Sequence, residues 1–335
     1  MTPQISVIVP AYNTADYIGK AIESALGQTY QNIEVIVVDD ASTDGTAKVA
    51  QKFVDKRLKV IINQKNLGAS YSRNRALREA KGSWIALLDS DDWFAPERLE
   101  KLLQVAQAEE ADLIADDLYL LRDGEKSPWS TLLRESGVNI NTNTLIDPVS
   151  FIKTDLPSEK GVSLGYTKPL IKRKFLLDKG IKYDETLRAG EDFTLYLKCL
   201  LEKARFVVVP KPYYFYRNRQ KSLGQRTPIT YLNQSHQITL NFLQEKNVKQ
   251  NPDVVKALSQ NLEAFNKNIA YYQVVEPLKQ KKLWLSAQKI VSYPYFFIHL
   301  LSKLPGILQR RVQYYLLRNK YVMSKNTFFP KSSKN

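Results

Sequence analysis

Hydrophobic and polar positions alternate in blocks over the first 120 residues. The short apolar runs Ile5–Val9, Glu34–Val38, Leu58–Ile62, Trp84–Leu88 and Asp112–Ala115 predict strands. The runs at 34–38 and 84–88 are almost unbroken, as expected for strands covered on both faces. Between the strands, apolar residues recur at helical spacing: Ile18, Ile22, Ala25 and Leu26 share one face, as do Leu99, Leu102, Leu103 and Ala106. Pro96 suits the first turn of the latter helix. Strands alternating with helices predict right-handed βαβ units, a largely parallel sheet, and a ligand site beyond the carboxyl ends of its strands.

Past Arg122 the pattern weakens. Residues 122–166 read as a variable loop region with one hairpin. Regular structure is expected again at 167–177, in a helix beginning near Gly190, and in a strand over Phe206–Pro210 followed by the aromatic run Tyr213–Tyr216. From Pro228 onward the chain reads as helical. The expected division is a catalytic α/β domain over 1–220 and a basic helical region over 221–335.

Composition adds little until the charge is located. The chain of 335 residues is 44% hydrophobic and 25% charged, as in an ordinary globular protein. Cys199 is the single cysteine, so no intrachain disulfide forms, in keeping with a reducing compartment. The first apolar run leads straight to Pro10 without a basic leader, and no signal peptide is expected. Of the formal net charge of +15, twelve Lys and Arg lie beyond Glu276 with no Asp or Glu among them. The part before that is nearly neutral, which argues against a nucleic-acid-binding protein. The segment 283–318 mixes these cations with Trp284, Tyr293, Phe296, Leu300, Tyr314 and other apolar residues. Such a pattern suits an anionic membrane surface, with peripheral attachment at the inner face of the plasma membrane. Packing of these helices on the catalytic domain is the alternative reading. Pro294, Lys303, Pro305 and Gly306 argue against a spanning helix.

The candidate chemistry stands at the strand ends. Strand one runs into Pro10-Ala11-Tyr12-Asn13, strand two into Asp39-Asp40, and strand four into Asp89-Ser90-Asp91-Asp92. Three carboxylates within four residues repel one another, and a hard divalent cation would relieve the repulsion. A solvated acidic turn capping the next helix is the alternative.

With these residues in place, the chain resembles the family 2 glycosyltransferases of the GT-A fold. The resemblance is carried by Val7–Asn13, Val37–Thr46, Asn66–Ala69 with Arg73-Asn74, Leu88–Asp92 and Gly190-Glu191-Asp192, in that order over roughly residues 4–217. It implies a Rossmann-like, mostly parallel sheet flanked by helices. It also implies an inverting enzyme that moves a sugar from a nucleotide donor, usually a UDP-sugar, to a saccharide or lipid-linked saccharide acceptor, in the cytoplasm, as part of bacterial surface-polysaccharide synthesis. By that resemblance Pro10, Tyr12, Asp39 and Asp40 hold the base and ribose, and Gly68 lets backbone approach the donor. Arg73 reaches the base or diphosphate, or is simply solvated. Mn²⁺ or Mg²⁺ is carried by the Asp89, Asp91 and Asp92 group; Asp91 takes ribose or metal and Asp92 direct metal contact. Asp192 is the implied general base, with Glu191 beside it. A nucleotidyltransferase could share the sheet and the metal, but it would be expected to have a Gly-rich phosphate loop where this chain has Ala11-Tyr12-Asn13.

Overall fold

The computed structural model describes residues 2–155, 163–219 and 228–280, with isolated positions among 282–308. The described chain separates into two units, one formed by residues up to Thr154 and from 163 to Arg219, the other by the helices from 228 on.

The first unit opens with β1 (Ile5–Ala11), α1 (Ile18–Leu26), β2 (Ile33–Asp39), α2 (Thr46–Gln51), β3 (Leu58–Ile62), α3 (Ala69–Glu79) and β4 (Trp84–Leu87). It continues through β5 (Trp93–Phe94), α4 (Arg98–Ala108), β6 (Leu113–Arg122), β7 (Ser130–Thr131), α5 (Leu132–Ser136), β8 (Thr144–Ile146) and α6 (Pro148–Thr154). After a single 3₁₀ turn at Leu164–Tyr166 come β9 (Leu170–Lys172), α7 (Arg173–Asp178), α8 (Glu191–Leu201) and β10 (Phe206–Asn218). One sheet runs β3-β2-β1-β4-β9-β6-β10-β5, with β7 on β6 and β8 on β10.

The quarter made of β3, β2, β1 and β4 is parallel throughout, as the alternating blocks predict. Val35 to Val38 and Val7 to Val9 are fully buried, because helices cover both faces. Here α3 lies over β1 and β2, and the apolar stripe of α1, buried at Ile18, Ala21, Ile22 and Ala25, supports the same edge. Beyond β4 the sheet becomes mixed. β9 pairs antiparallel with both β4 and β6, while β6 and β10 run parallel beside it.

Four expectations change in detail. The strand expected at 112–115 continues to Arg122, since Asp116 and Asp117 in its middle are buried and bonded rather than solvated. The strand from Phe206 does not stop at Pro210; β10 continues to Asn218 with register shifts between Val209 and Tyr214, where Pro210 and Pro212 lack N–H donors. Among its described residues the region 122–166 holds two short strands and two short α-helices besides the 3₁₀ turn, and Leu132, Leu133, Phe151 and Ile152 there are buried. Pro96 precedes α4 by two residues rather than opening it.

The second unit comprises α9 (Pro228–Gln244), α10 (Lys246–Lys249) and α11 (Pro252–Lys279). Leu232 on α9 packs against Phe265 and Ile269 on α11. Among the described residues no helix is long and apolar enough to cross a membrane. The amphipathic segment expected at 283–318 lies outside the described residues apart from a few isolated positions.

Candidate active site

The carboxyl ends of β1, β2 and β4 bring their polar tails to one edge of the sheet. Two hydrogen bonds lace the first two tails together: the Asn13 N–H donates to Ser42 Oγ at 3.0 Å, and the Thr43 N–H to Asn13 Oδ1 at 2.9 Å. Tyr12, beside them, is 42% exposed, and Pro10 is half-buried. An aromatic ring left in water at the end of a buried strand is available to a ligand.

The two aspartates that end β2 behave differently. Asp39 is buried; Oδ2 accepts from the Ser42 N–H at 3.0 Å, whereas Oδ1 meets no partner among the described residues. Asp40 is fully engaged. Its carboxylate accepts from Asn63 Nδ2 at 2.7 Å, from the Leu67 N–H at 3.0 Å and from the Gly68 N–H at 2.7 Å. These bonds fix the loop that leads into α3. Gly68 there has φ 94°, and a Cβ at this position would strike the Arg188 guanidinium. Glycine meets both constraints.

At the end of β4 the arrangement is ionic. Arg73, on α3 and only 5% exposed, donates to Asp89 at 2.8 Å and to Glu191 at 2.9 Å, and lies 3.7 Å from Asp192. Lys168, 6% exposed, reaches Asp89 at 3.0 Å and Asp192 at 2.6 Å. Three acids from two distant segments therefore share two buried cations. Burial would raise the Asp89 carboxyl, but Lys168 and then Arg73 override it and hold Asp89 well below the usual range. Burial works against the charge on Lys168 as well, and Asp192 and Asp89 push it above its ordinary value. Lys168 is itself positioned from beneath: the fully buried pair Arg98–Asp116, 2.7 Å apart, leaves Arg98 Nη2 donating to the Lys168 carbonyl.

Asp92 and Asp91 complete the edge. Asp92, 2% exposed, accepts from Tyr214 Oη at 2.8 Å and from the Arg217 N–H at 2.7 Å. Tyr214 Oη in turn accepts from the Asp89 N–H at 3.1 Å. Both Asp92 oxygens thus tie the acidic loop to β10, where direct metal contact was expected. Burial raises the Asp92 carboxyl well above its usual range, with Asp91 and Asp89 adding to the effect. Asp91 is held through Oδ2 by Arg219. Burial raises its carboxyl too, against the pull of Arg219. Arg217 is clasped between the Tyr17 and Trp93 rings, with its Cζ 5.0 and 4.9 Å from their centroids.

α8 presents the remaining pair. Gly190 takes the left-handed conformation, φ 74°, and turns the chain so that Glu191 and Asp192 open the helix. Asp192 is 8% exposed; Lys168 grips Oδ2, and Oδ1 is buried with no hydrogen-bond partner among the described residues.

The structure therefore joins Arg73, Asp89, Glu191 and Asp192 in one ionic network, to which Tyr214 links Asp92. Asp40 and Gly68 form a second group at the start of α3. Pro10, Tyr12 and Asp39 stand at the neighbouring strand ends without bonding to either. Lys168, Tyr214, Arg217 and Arg219 were not singled out from sequence. Among the described residues no three His, Cys, Asp or Glu side chains are grouped to hold a metal unaided. Among the described residues Asp91 is the member of the acidic loop whose carboxylate has one cation as its side-chain partner, so the set fits an ion held by one carboxylate and completed by substrate phosphates.

Comparison with known proteins identifies the family and the fold. The sequence profile described as Glycosyl transferase family 2 matches residues 6–158. The succinoglycan biosynthesis protein ExoO of Rhizobium meliloti is 30% identical over 92% of this chain and 87% of that protein. TarS of S. aureus, solved with UDP, superposes with a TM-score of 0.61 at 23% identity, covering 96% of this chain and 88% of that one. The mannosyltransferase PcManGT of Pyrobaculum calidifontis, solved with GDP-Man and Mn²⁺, gives 0.55 at 18% identity over 97% and 83% of the two chains. At those identities the two structures speak for the fold alone.

Proposed function

Because this chain belongs to glycosyl transferase family 2 and is a glycosyltransferase, we propose that it transfers a sugar from a UDP-linked donor to a saccharide hydroxyl with inversion, in the assembly of a bacterial surface polysaccharide. The observation that carries this reading is the state of Asp192. One oxygen is pinned by a buried lysine; the other is buried without a hydrogen bond among the described residues, with the Arg73 guanidinium 3.7 Å away. A buried carboxylate oxygen without a hydrogen bond is costly for the fold and suited to accepting a proton from a bound hydroxyl.

In this scheme Asp192 Oδ1 takes the acceptor hydroxyl's proton as its oxygen attacks the anomeric carbon. The bond from that carbon to the diphosphate breaks on the opposite face, and UDP leaves with the electron pair. Lys168 and Arg73 hold Asp192, Glu191 and Asp89 in register. Tyr12 offers its exposed face to the base, Pro10 flanks it, and Asp39 Oδ1 accepts from a base N–H. Asp40 and Gly68 shape the donor loop from within, and Arg73 serves the acids rather than the donor. Asp91 is the residue that holds Mn²⁺ or Mg²⁺, with Asp92 bracing it through Tyr214 and Arg217. When bound, such an ion offsets the negative charge on the departing diphosphate. ExoO, by its name a succinoglycan biosynthesis protein, supports the polysaccharide assignment. The basic tail supports work at the cytoplasmic face of the membrane, on a lipid-linked acceptor.

A donor-hydrolysis screen across UDP-, GDP- and dTDP-sugars tests the reading. Slow release of UDP from one UDP-sugar, stopped by EDTA and restored by Mn²⁺, is the expected result. Release from none of the donors would contradict it.

A further inference from the structure

Arg219 occupies the carboxylate of Asp91, the proposed ligand of the divalent cation, and this contact bears on how the ion loads. Arg219 Nε donates to Asp91 Oδ2, with both side chains 16% exposed. Its guanidinium also lies over the Tyr17 ring, Cζ 5.3 Å from the centroid. Tyr17 Oη donates to Asp123 Oδ2 at 2.9 Å, and Asp123 also pairs with Arg217. The contacts of Arg219 therefore include a carboxylate it can release and an aromatic face on which it can stay. The other two acids of the loop lack this freedom, since Asp89 is shared by Arg73 and Lys168 and Asp92 is bound by Tyr214 and the backbone of Arg217.

We propose that Arg219 is an internal competitor of the divalent cation: it is the counter-ion of Asp91 until the ion arrives, and the ion binds only as Arg219 withdraws onto Tyr17. The proposal rests on the reading of Asp91 as the metal ligand and adds to it a resident cation that sets the ion's affinity. A monovalent guanidinium and a divalent ion cannot both take the same carboxylate oxygen at full strength, so binding of the ion is weakened by whatever the Arg219 contact is worth. The arrangement makes loading of the site weak by itself and lets any ligand that draws Arg219 away strengthen it.

The test is direct Mn²⁺ titration of the full chain, reading free Mn²⁺ by electron paramagnetic resonance without nucleotide. R219Q is expected to bind Mn²⁺ about tenfold more tightly than the wild type, which corresponds to about 1.4 kcal/mol of relieved competition. R219K, which keeps the charge but lacks the planar fork that grips a carboxylate, should fall between. K20Q removes a cation that lies over Trp93 rather than on Asp91, and should change the affinity by less than about twofold. Thermal melting of each variant confirms that the fold is retained, and R219K keeps the question open to measurement should R219Q not fold. Unchanged or weaker binding by R219Q overturns the proposal. Equal tightening by K20Q also overturns it, because the gain would then be a general field effect. D91N separates this failure from that of the underlying reading: loss of Mn²⁺ binding in D91N upholds Asp91 as ligand, whereas unchanged binding removes both assignments together.

Discussion

Two acidic strand ends look alike in sequence and are built on opposite electrical plans. After β2, Asp40 is satisfied by neutral donors, two backbone N–H groups and an asparagine amide. After β4, Asp89 and Asp91 are satisfied by full charges, from Arg73, Lys168 and Arg219. The first plan makes a carboxylate into a splint for a loop. The second stores negative charge that cations only partly neutralise, and it connects that charge to Asp192 on another helix. The difference teaches that an aspartate's partners, not its place in a motif, separate a residue that shapes the site from one that can act in it.

The sharpest way to break the ionic plan is to remove its shared cation. K168M leaves Asp89 and Asp192 without the lysine between them, and should cost about 3–5 kcal/mol of stability, the usual penalty for uncovering a buried charge. Denaturant unfolding reads this directly, and a loss below about 1 kcal/mol would mean that Arg73 alone balances the three acids. A smaller effect is expected from the neutral plan. D40N replaces an acceptor-only carboxylate by an amide whose NH₂ faces donors, and should cost about 1–3 kcal/mol. It should also weaken UDP binding, because the loop at Leu67-Gly68 loses its anchor; denaturant unfolding checks the first part and isothermal titration the second. D40N that retains full stability would erase the contrast with Asp89.

How much of this was legible in sequence follows from what each signal depends on. β1, β2 and β4 were readable because strands covered on both faces are continuous apolar runs. β6 was cut short in the reading because Asp116-Asp117 resembles a strand end; nothing local reveals that Arg98 and the Leu118 and Leu133 N–H groups bond them inside. β9 has only three residues between Lys168-Pro169 and Arg173, too few for any periodicity. Lys168 itself could not be found, since a lysine before a short strand is ordinarily solvated, and its two acids lie in remote segments. The pair Glu191-Asp192 was legible through the family resemblance, as were the strand-end acids. Sequence order did not reveal that Asp92 faces inward and Asp91 meets Arg219; only the path of β10 past the acidic loop decides that.

The proposed division of labour, Asp192 for the acceptor and the strand-end residues for the donor, is separated by turnover and UDP affinity of D192N against the wild type, on the donor selected by the hydrolysis screen. A fall in kcat of about 10²–10⁴ with UDP affinity unchanged within about twofold is expected. D192N with wild-type turnover, or with its loss explained by failure to bind UDP, would contradict it.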